Sequence, residues 1–348
     1  MIEGLSALCY APPLCCPPAR MHLMPRMLPW FGLVAALCLG GPVRAAESVA
    51  LPDLPYIPLG VVGHDNNAAY PDAQMERRLQ LLDRYNLRSY RSGEFLLLDQ
   101  PRMDRLVALA RQYRITLRPV ITQQLTQAQA YALAKRYAKD IKIWEIGNEQ
   151  DHSRVGAGIR ISRLVDIYRG IRRASDELDA GLKTTINVMS CNSYDTGPKA
   201  RCPGDRLGSM WFLDQAKAAG FDFDYISFHY YPHYQDRGHW MDLYLGQMRA
   251  MAEKYRTQIF YNEVNCAEIY KGTTDGGRPG DRSCYDSLEY ILSELNGRYR
   301  DIVREINVYE LLDEPTHPVA HERHFGLMYD LDRPKPVMEL VRRYAGTP

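Results

Sequence analysis

Two short apolar segments of the chain end in a glutamate, and they carry the strongest chemical signal in the sequence. The first is Ile143–Trp144–Glu145–Ile146–Gly147–Asn148–Glu149, and the second is Ile259–Phe260–Tyr261–Asn262–Glu263–Val264–Asn265. A buried carboxylate is costly unless polar partners hold it. A strand that stops at a glutamate therefore predicts a sheet whose end opens into a polar cleft. If these two ends face each other, Glu149 and Glu263 form the kind of carboxyl pair that cleaves glycosidic bonds.

The elements that must position this pair follow from hydrophobic periodicity. Eight predicted β-strands cover Tyr56–Gly63, Leu87–Arg91, Ile115–Ile121, Ile141–Ile146, Thr184–Met189, Tyr225–Tyr230, Gln258–Asn262 and Ile306–Leu311. Amphipathic helical patterns between or after them include Asp72–Asn86, Arg160–Leu178, Asp286–Arg300 and Val337–Tyr344. Alternating strands and helices predict parallel strands joined by right-handed crossovers. Eight such units predict an α/β protein, a single (β/α)₈ TIM barrel.

An open, doubly wound sheet is the main alternative fold. It ordinarily binds a nucleotide at a glycine-rich turn after the first strand. The corresponding turn here, Gly60–Val61–Val62–Gly63–His64–Asp65, lacks the G-x-G-x-x-G spacing. The sequence therefore favours the barrel and predicts no nucleotide or other cofactor.

Polar residues follow the predicted strand ends, where barrels of this type keep their reactive groups. They are His64, Asp65, Arg91, Thr122, Asn148, Glu149, Ser190, His229, Tyr231, Glu263, Glu310 and Asp313. Because loops are polar in general, only Glu149 and Glu263 are strong signals by themselves.

These strand ends resemble those of clan A glycoside hydrolases. Trp144–Glu149 is similar to the clan's Asn–Glu motif on the fourth strand, and Tyr261–Glu263 resembles its nucleophile on the seventh. His229–Tyr231 matches the sixth-strand His-x-Tyr, and Arg91 stands where a second-strand arginine is expected. The C-terminal part resembles bacterial members near families 39 and 5, through Tyr309–Pro315, Phe325–Leu327 and Arg333–Pro336.

The resemblance implies cleavage of a β-linked oligo- or polysaccharide by double displacement with retention. Glu263 attacks the anomeric carbon as an anion, while Glu149 first donates a proton and then acts as a base. The side chains expected to bind substrate or hold Glu263 are Asn148, Arg91, His229, Tyr231, His64, Trp240, Tyr309 and Glu310. The chain departs from the pattern at Pro119–Thr122, where some relatives carry a histidine, and at Tyr309, where a tryptophan platform is common.

Structural interpretations stand beside these functional ones. Glu149 or Glu263 could cap a following helix, Arg91 could be a structural salt-bridge partner, and Tyr231 could be plain packing. A polysaccharide-binding barrel without turnover is the alternative function. A metal-dependent hydrolase is a third hypothesis, but the sequence has no H-E-x-x-H spacing and we expect no metal.

Residues 1–45 are expected to lie outside the folded domain. Leu28–Gly41 is a short apolar stretch with arginines before it and Val43–Arg44–Ala45 after it, the arrangement of a secretory signal. It is shorter than the ~20 apolar residues that span a bilayer. Residues before Met21 are interpreted as an over-extended start. We therefore expect residues 46–348 to form an exported catalytic domain, periplasmic or extracellular, with no stable membrane span.

Cysteine usage agrees with export, since four cysteines follow the signal: Cys191, Cys202, Cys266 and Cys284. An even number in an oxidising compartment predicts disulfides, although four cysteines permit three connectivities. Pairing Cys191 with Cys202 and Cys266 with Cys284 closes one loop each and is the most economical choice. A zinc site is the alternative, but no close Cys-x-x-Cys spacing occurs.

The bulk composition limits the partners. The 348 residues carry a formal net charge of +1, which gives no support for nucleic-acid binding. With 46% hydrophobic residues the chain can bury a sizeable core. We expect a monomer whose partner is a saccharide.

Overall fold

The computed structural model describes residues 56–92, 99–122, 124–151, 156–189, 208–231, 239–265, 279–318 and 320–346. Eight parallel strands close into a barrel in the order in which they occur along the chain. They are β1 (Leu59–Gly63), β2 (Ser89–Ser92), β3 (Thr116–Ile121), β4 (Ile143–Ile146), β5 (Lys183–Met189), β6 (Tyr225–His229), β7 (Ile259–Val264) and β8 (Val303–Val308). The predicted (β/α)₈ barrel is confirmed.

One α-helix follows each strand in the described part of the chain. The helices are α1 (Met75–Arg84), α2 (Gln100–Gln112), α3 (Gln127–Tyr137), α4 (Ala157–Leu178), α5 (Gly208–Ala218), α6 (His239–Tyr255), α7 (Pro279–Asn296) and α8 (Pro336–Ala345). Short 3₁₀ turns cover Asp72–Gln74 and Ala320–His324, and β9 (Met328–Asp330) pairs antiparallel with β10 (Arg333–Pro334). The helices bury one apolar face each against the barrel, as Leu79 and Leu82 of α1 do.

The barrel interior contains polar and charged side chains, and short neighbouring residues leave room for them. Gly60 shows the crowding, since a Cβ at this position would lie 1.8 Å from Ser89 Oγ and 2.3 Å from Asn307 Oδ1. Next to them, the buried Arg118 forms a salt bridge with Glu305, with Nη2 and Oε2 2.7 Å apart. The carboxyl end of the barrel lies above this layer and holds the predicted site.

The last predicted strand is placed too late in the sequence. β8 covers Val303–Val308, whereas the apolar pattern predicted Ile306–Leu311. Leu311 is fully buried, which explains the apolar signal. After Val308, regular strand pairing ends. Tyr309 and Leu311 N–H still donate to Val264 and Val62 of the neighbouring strands, but Glu310 N–H donates to the carbonyl of Phe325. The shift matters because it turns Tyr309 and Glu310 into residues of the loop at the barrel's carboxyl end.

Candidate active site

Glu263 lies at the end of β7 with both carboxylate oxygens held by partners. Arg91 Nη1 donates to Oε1 at 2.6 Å, and the Tyr231 hydroxyl donates to Oε2 at 2.6 Å. Burial by itself raises the pKa of this carboxyl, but the charges of His229 and Arg91 and the Tyr231 hydrogen bond bring the pKa below its ordinary value. Glu263 is therefore held as an anion.

Glu149 approaches Glu263 from the end of β4 through a turn of unusual backbone geometry. Gly147 and Glu149 both adopt positive φ, at 83° and 52°. A non-glycine residue in this region is strained and needs support. The support comes from β5, where Asn187 Oδ1 accepts the Glu149 N–H at 2.6 Å. The next helix, α4, begins only at Ala157, so Glu149 does not cap it.

His229 contacts the carboxylates of both Glu149 and Glu263. Its Nδ1 lies 3.1 Å from Glu149 Oε1 and 3.4 Å from Glu263 Oε2, and the ligand atoms of the three side chains all lie within 4.8 Å of one another. Burial disfavours charge on His229, but the charge of Glu263 and hydrogen bonds with Glu145 and Glu149 raise its pKa to about 9. Asn187 Nδ2 lies 2.6 Å from Nε2 and favours the neutral tautomer in which Nε2 accepts and Nδ1 carries the proton. In the imidazolium both ring nitrogens carry protons, so Nδ1 is protonated in either form.

Glu145 is the residue that the sequence reasoning missed, although it lies within the first motif. It is 2% exposed and accepts hydrogen bonds from donors on four other strands: Arg91 Nε (2.9 Å) and Nη2 (3.0 Å), Asn187 Nδ2 (2.9 Å), Ser227 Oγ (2.8 Å) and Asn262 Nδ2 (2.5 Å). Burial raises its pKa, but Arg91 and His229 outweigh this and lower the pKa to about 2. A lone carboxylate inside an apolar strand was the signal that could have revealed it.

A pocket of about 230 Å³ opens beside this pair. Its lining includes Arg91, Asn148 and Glu263 together with His64, Asn67 and His317. Glu149 stands outside this lining, with its side chain 26% exposed. The structure thus brings six sequence-predicted residues together: Arg91, Asn148, Glu149, His229, Tyr231 and Glu263.

Tyr309 and Glu310 lie behind the pocket wall rather than on it. Tyr309 is 7% exposed and packs edge-on against His64, with ring centroids 5.1 Å apart. Glu310 is fully buried, accepts a hydrogen bond from Tyr70 at 2.9 Å, and lies 3.5 Å from His64 Nδ1. Glu310 thus contacts the site through His64, and Tyr309 contacts it through both His64 and Tyr231, whose ring centroid lies 5.8 Å from that of Tyr309. Trp240 belongs to the first turn of α6, but its side chain lies outside the described residues, as do the predicted disulfides and residues 1–45.

Two groups of side chains in the described residues have the proximity that a metal ion requires: Glu149, His229 and Glu263, and His64, Glu310 and Glu314. In the first, Arg91 and Tyr231 already hold Glu263. In the second, Tyr70 donates to Glu310, and Asn67 donates to Glu314. Protein donors thus hold a carboxylate of each group.

The sequence matches no protein-family model and no curated protein. Its fold is similar to that of a family 39 glycoside hydrolase from Bacteroides cellulosilyticus WH2 (TM-score 0.59, 14% identity, 84% of this chain and 64% of that one). It is also similar to a β-glucosidase from Thermotoga maritima (0.58, 11%, 84% and 98%) and an exo-β-1,4-mannosidase from Opitutaceae bacterium strain TAV5 (0.58, 14%, 83% and 59%).

These neighbours confirm that the chain has the predicted fold, similar to that of clan A glycoside hydrolases, a family 39 enzyme among them. The chain spans 64% of the family 39 enzyme and 59% of the mannosidase, so it is shorter than both. Among the described residues, no helix is long and apolar enough to cross a membrane.

Proposed function

We propose that this protein is a retaining glycoside hydrolase that cleaves a β-linked oligo- or polysaccharide, with Glu263 as nucleophile and Glu149 as acid and base. The observation that carries the proposal is the approach of their carboxylate oxygens to within 4.8 Å. Retaining enzymes hold the two carboxyl groups about 5–5.5 Å apart, and inverting enzymes need about 6.5–9.5 Å to admit a water. The names of the β-glucosidase and β-mannosidase neighbours support the choice of a β-linkage.

In the first displacement, Glu263 attacks the anomeric carbon while Glu149 gives its proton to the leaving oxygen. In the second, Glu149 removes a proton from water, and that water displaces Glu263 from the sugar with the configuration restored. Arg91 and Tyr231 keep Glu263 anionic and aimed at the pocket. His229 donates toward both carboxylates and thereby keeps Glu149 within reach of the leaving oxygen.

Asn148 is proposed to bind the sugar hydroxyl next to the anomeric carbon. Its Oδ1 accepts a hydrogen bond from Arg91 Nη2 at 2.9 Å, which directs the amide NH₂ group away from Arg91. Because Asn148 lines the pocket, this NH₂ is available to a ligand oxygen. A contact of this kind strengthens in an oxocarbenium-like transition state.

The proposal includes the biological setting predicted from the sequence. Residues 1–45 are removed on export, and residues 46–348 act as a monomer in the periplasm or outside the cell. The predicted pairs Cys191–Cys202 and Cys266–Cys284 belong to this setting, since disulfides persist in oxidising compartments.

A glycan digestion screen with product sizing, followed by NMR of the first product anomer, tests the proposal. Glu263→Ala should abolish turnover, and Glu149→Gln should retain activity only on substrates with activated leaving groups. An initial α-anomer, or full activity of either variant, contradicts the mechanism. Binding of a glycan without hydrolysis by the wild-type protein would support the alternative of a polysaccharide-binding barrel.

A further inference from the structure

The part of the pocket wall formed by His64 and Asn67 is organised by a carboxylate that the proposed reaction does not use. Glu314, 1% exposed, lies behind His64 and Asn67. His64 Nδ1 lies 2.8 Å from Oε1 of Glu314, and Asn67 Nδ2 donates to Oε2. Both His64 and Asn67 line the pocket, so Glu314 fixes which of their atoms face a ligand.

A carboxylate accepts hydrogen bonds and donates none, which decides the chemistry of this wall. His64 must carry its proton on Nδ1, and in the neutral ring Nε2 is then an acceptor. Asn67 must turn its NH₂ group to Glu314, which leaves Oδ1, also an acceptor. The two side chains therefore present acceptor atoms to whatever occupies the pocket.

The surroundings of the wall add negative charge to these acceptors. Glu310 lies next to His64 and is fully buried. Among the described residues, no arginine or lysine pairs with Glu310 or Glu314, and Lys335 pairs with the neighbouring Asp313 instead, at 2.5 Å. Burial and the nearby carboxylate of Glu314 raise the pKa of Glu310 well above its ordinary value.

Arg91, the arginine in the described lining of the pocket, already uses four of its five N–H groups in bonds to protein acceptors. Its Nε and Nη2 donate to Glu145, its Nη1 donates to Glu263, and Nη2 also reaches Asn148. A ligand carboxylate beside His64 and Asn67 would therefore meet acceptors with Glu314 behind them, and among the described lining residues the one guanidinium group is already paired with two carboxylates.

We propose that this wall selects a sugar that presents hydroxyl donors and excludes a uronic acid, with His64 and Asn67 as specificity-determining residues and Glu314 as their positioning residue. The inference rests on the proposed function, because it assumes that the pocket beside Glu263 holds the sugar that is cleaved. Unmatched acceptors and like charges are the usual means by which a site rejects a wrong ligand.

Matched glycosides test the proposal through turnover and binding. The kcat/KM values for 4-nitrophenyl β-glucoside, β-galactoside and β-xyloside are compared with those for the β-glucuronide and β-galacturonide at pH 6. NMR titration of the wild-type protein with methyl β-glucoside and methyl β-glucuronide gives a second readout without turnover. We expect a preference of about 100-fold or more for the neutral sugar in turnover, and measurable binding of the neutral methyl glycoside alone.

Glu314→Gln should reduce this preference at least tenfold, because a glutamine lets His64 and Asn67 present donors. Asp313→Asn is the matched control: it removes an adjacent buried carboxyl group, one that pairs with Lys335 and not with the wall, and it should keep the preference. A uronide processed as well as its neutral partner would overturn the inference while leaving the glycosidase proposal intact. Without any turnover the glycosidase proposal fails, and the titration then decides, since equal binding of both methyl glycosides, or of neither, refutes the selective wall.

Discussion

Replacing Glu145 by glutamine is the sharpest test of how the barrel builds this site. The shell around Glu145 consists of donors only, namely two guanidinium nitrogens, two amides and one hydroxyl. A glutamine directs its own NH₂ group at these donors, so at least one buried hydrogen bond is lost and two donors face each other. Only an ionised carboxylate satisfies the shell, in agreement with the pKa of about 2.

The size of the effect follows from that pKa. The difference between the ordinary value of 4.5 and about 2, at about 1.4 kcal/mol per pKa unit, corresponds to about 3 kcal/mol of stability held by the anion. Because the folded-state pKa is depressed, this stability is present above pH ~4.5 and is lost as the pH falls toward 2. Removing one partner of a buried ion pair costs about 3–5 kcal/mol, which agrees.

Glu305→Gln is the matched control. Glu305 is also buried in the barrel, 6% exposed, and binds Arg118 through both oxygens. It reaches Glu145 only through Asn307 and Asn262. We expect urea unfolding to give a similar loss of stability, about 3 kcal/mol, for both variants.

Activity separates the two variants under conditions in which both are folded. Without Glu145, Arg91 loses the anchor that aims it at Glu263, and a displacement of about 1 Å in a catalytic group can cost about 100-fold in rate. Glu145→Gln should therefore lose about 100-fold in kcat, and Glu305→Gln less than about threefold. Equal activity losses in the two variants, or normal kcat in Glu145→Gln, would refute the positioning role of Glu145.

Three further changes have defined outcomes. Tyr231→Phe removes a donor to Glu263, so kcat/KM should fall about tenfold or more and the acidic limb of its pH profile should move to higher pH, as measured by pH–rate profiles. Gly60→Ala should cost about 1–3 kcal/mol in urea unfolding because its Cβ has no room, whereas Gly246→Ala in α6, with open space around its Cβ, should gain about 0.5–1 kcal/mol. Burial raises the pKa of Asp151 to about 6, so wild-type stability should fall by about 2 kcal/mol as the pH rises from 4 to 7, and Asp151→Asn should flatten that dependence in thermal unfolding.

The fold was predictable from the sequence because the strands are short apolar runs and four of the helices show an amphipathic period. The strand after α4 was expected at Thr184–Met189 and occupies Lys183–Met189, and the helix expected over Arg160–Leu178 is Ala157–Leu178. The predicted position of β8 was wrong because apolar residues continue past the end of the strand. Leu311 is fully buried although it lies beyond the end of β8, and a run of apolar residues does not reveal where a strand ends.

The central pair was predictable, but its supports were not. Glu149 and Glu263 each end an apolar strand, which is a local pattern. Asn187 and Ser227, which hold Glu145, are short polar residues within β5 and β6. Their role depends on the register of the barrel, in which Asn187 pairs with Ser227. Such a contact joins strands far apart in sequence and leaves no local trace. Glu314 directly follows Asp313, and no local pattern reveals that the two carboxylates point in different directions, Asp313 toward Lys335 and Glu314 toward His64 in the pocket wall.

Backbone strain gives an independent indication of where function lies. Five described non-glycine residues have positive φ, and four of them, Asn86, Arg114, Asp179 and Arg256, lie just after helices, where a left-handed residue ends the helix. Glu149 is the exception, because it follows a strand and ends no helix. Strain of about 1–3 kcal/mol persists only where the surroundings impose it, and here Asn187 and His229 do so. A protein that used this barrel for packing alone would have no reason to hold a glutamate in that conformation, which favours a site shaped for chemistry.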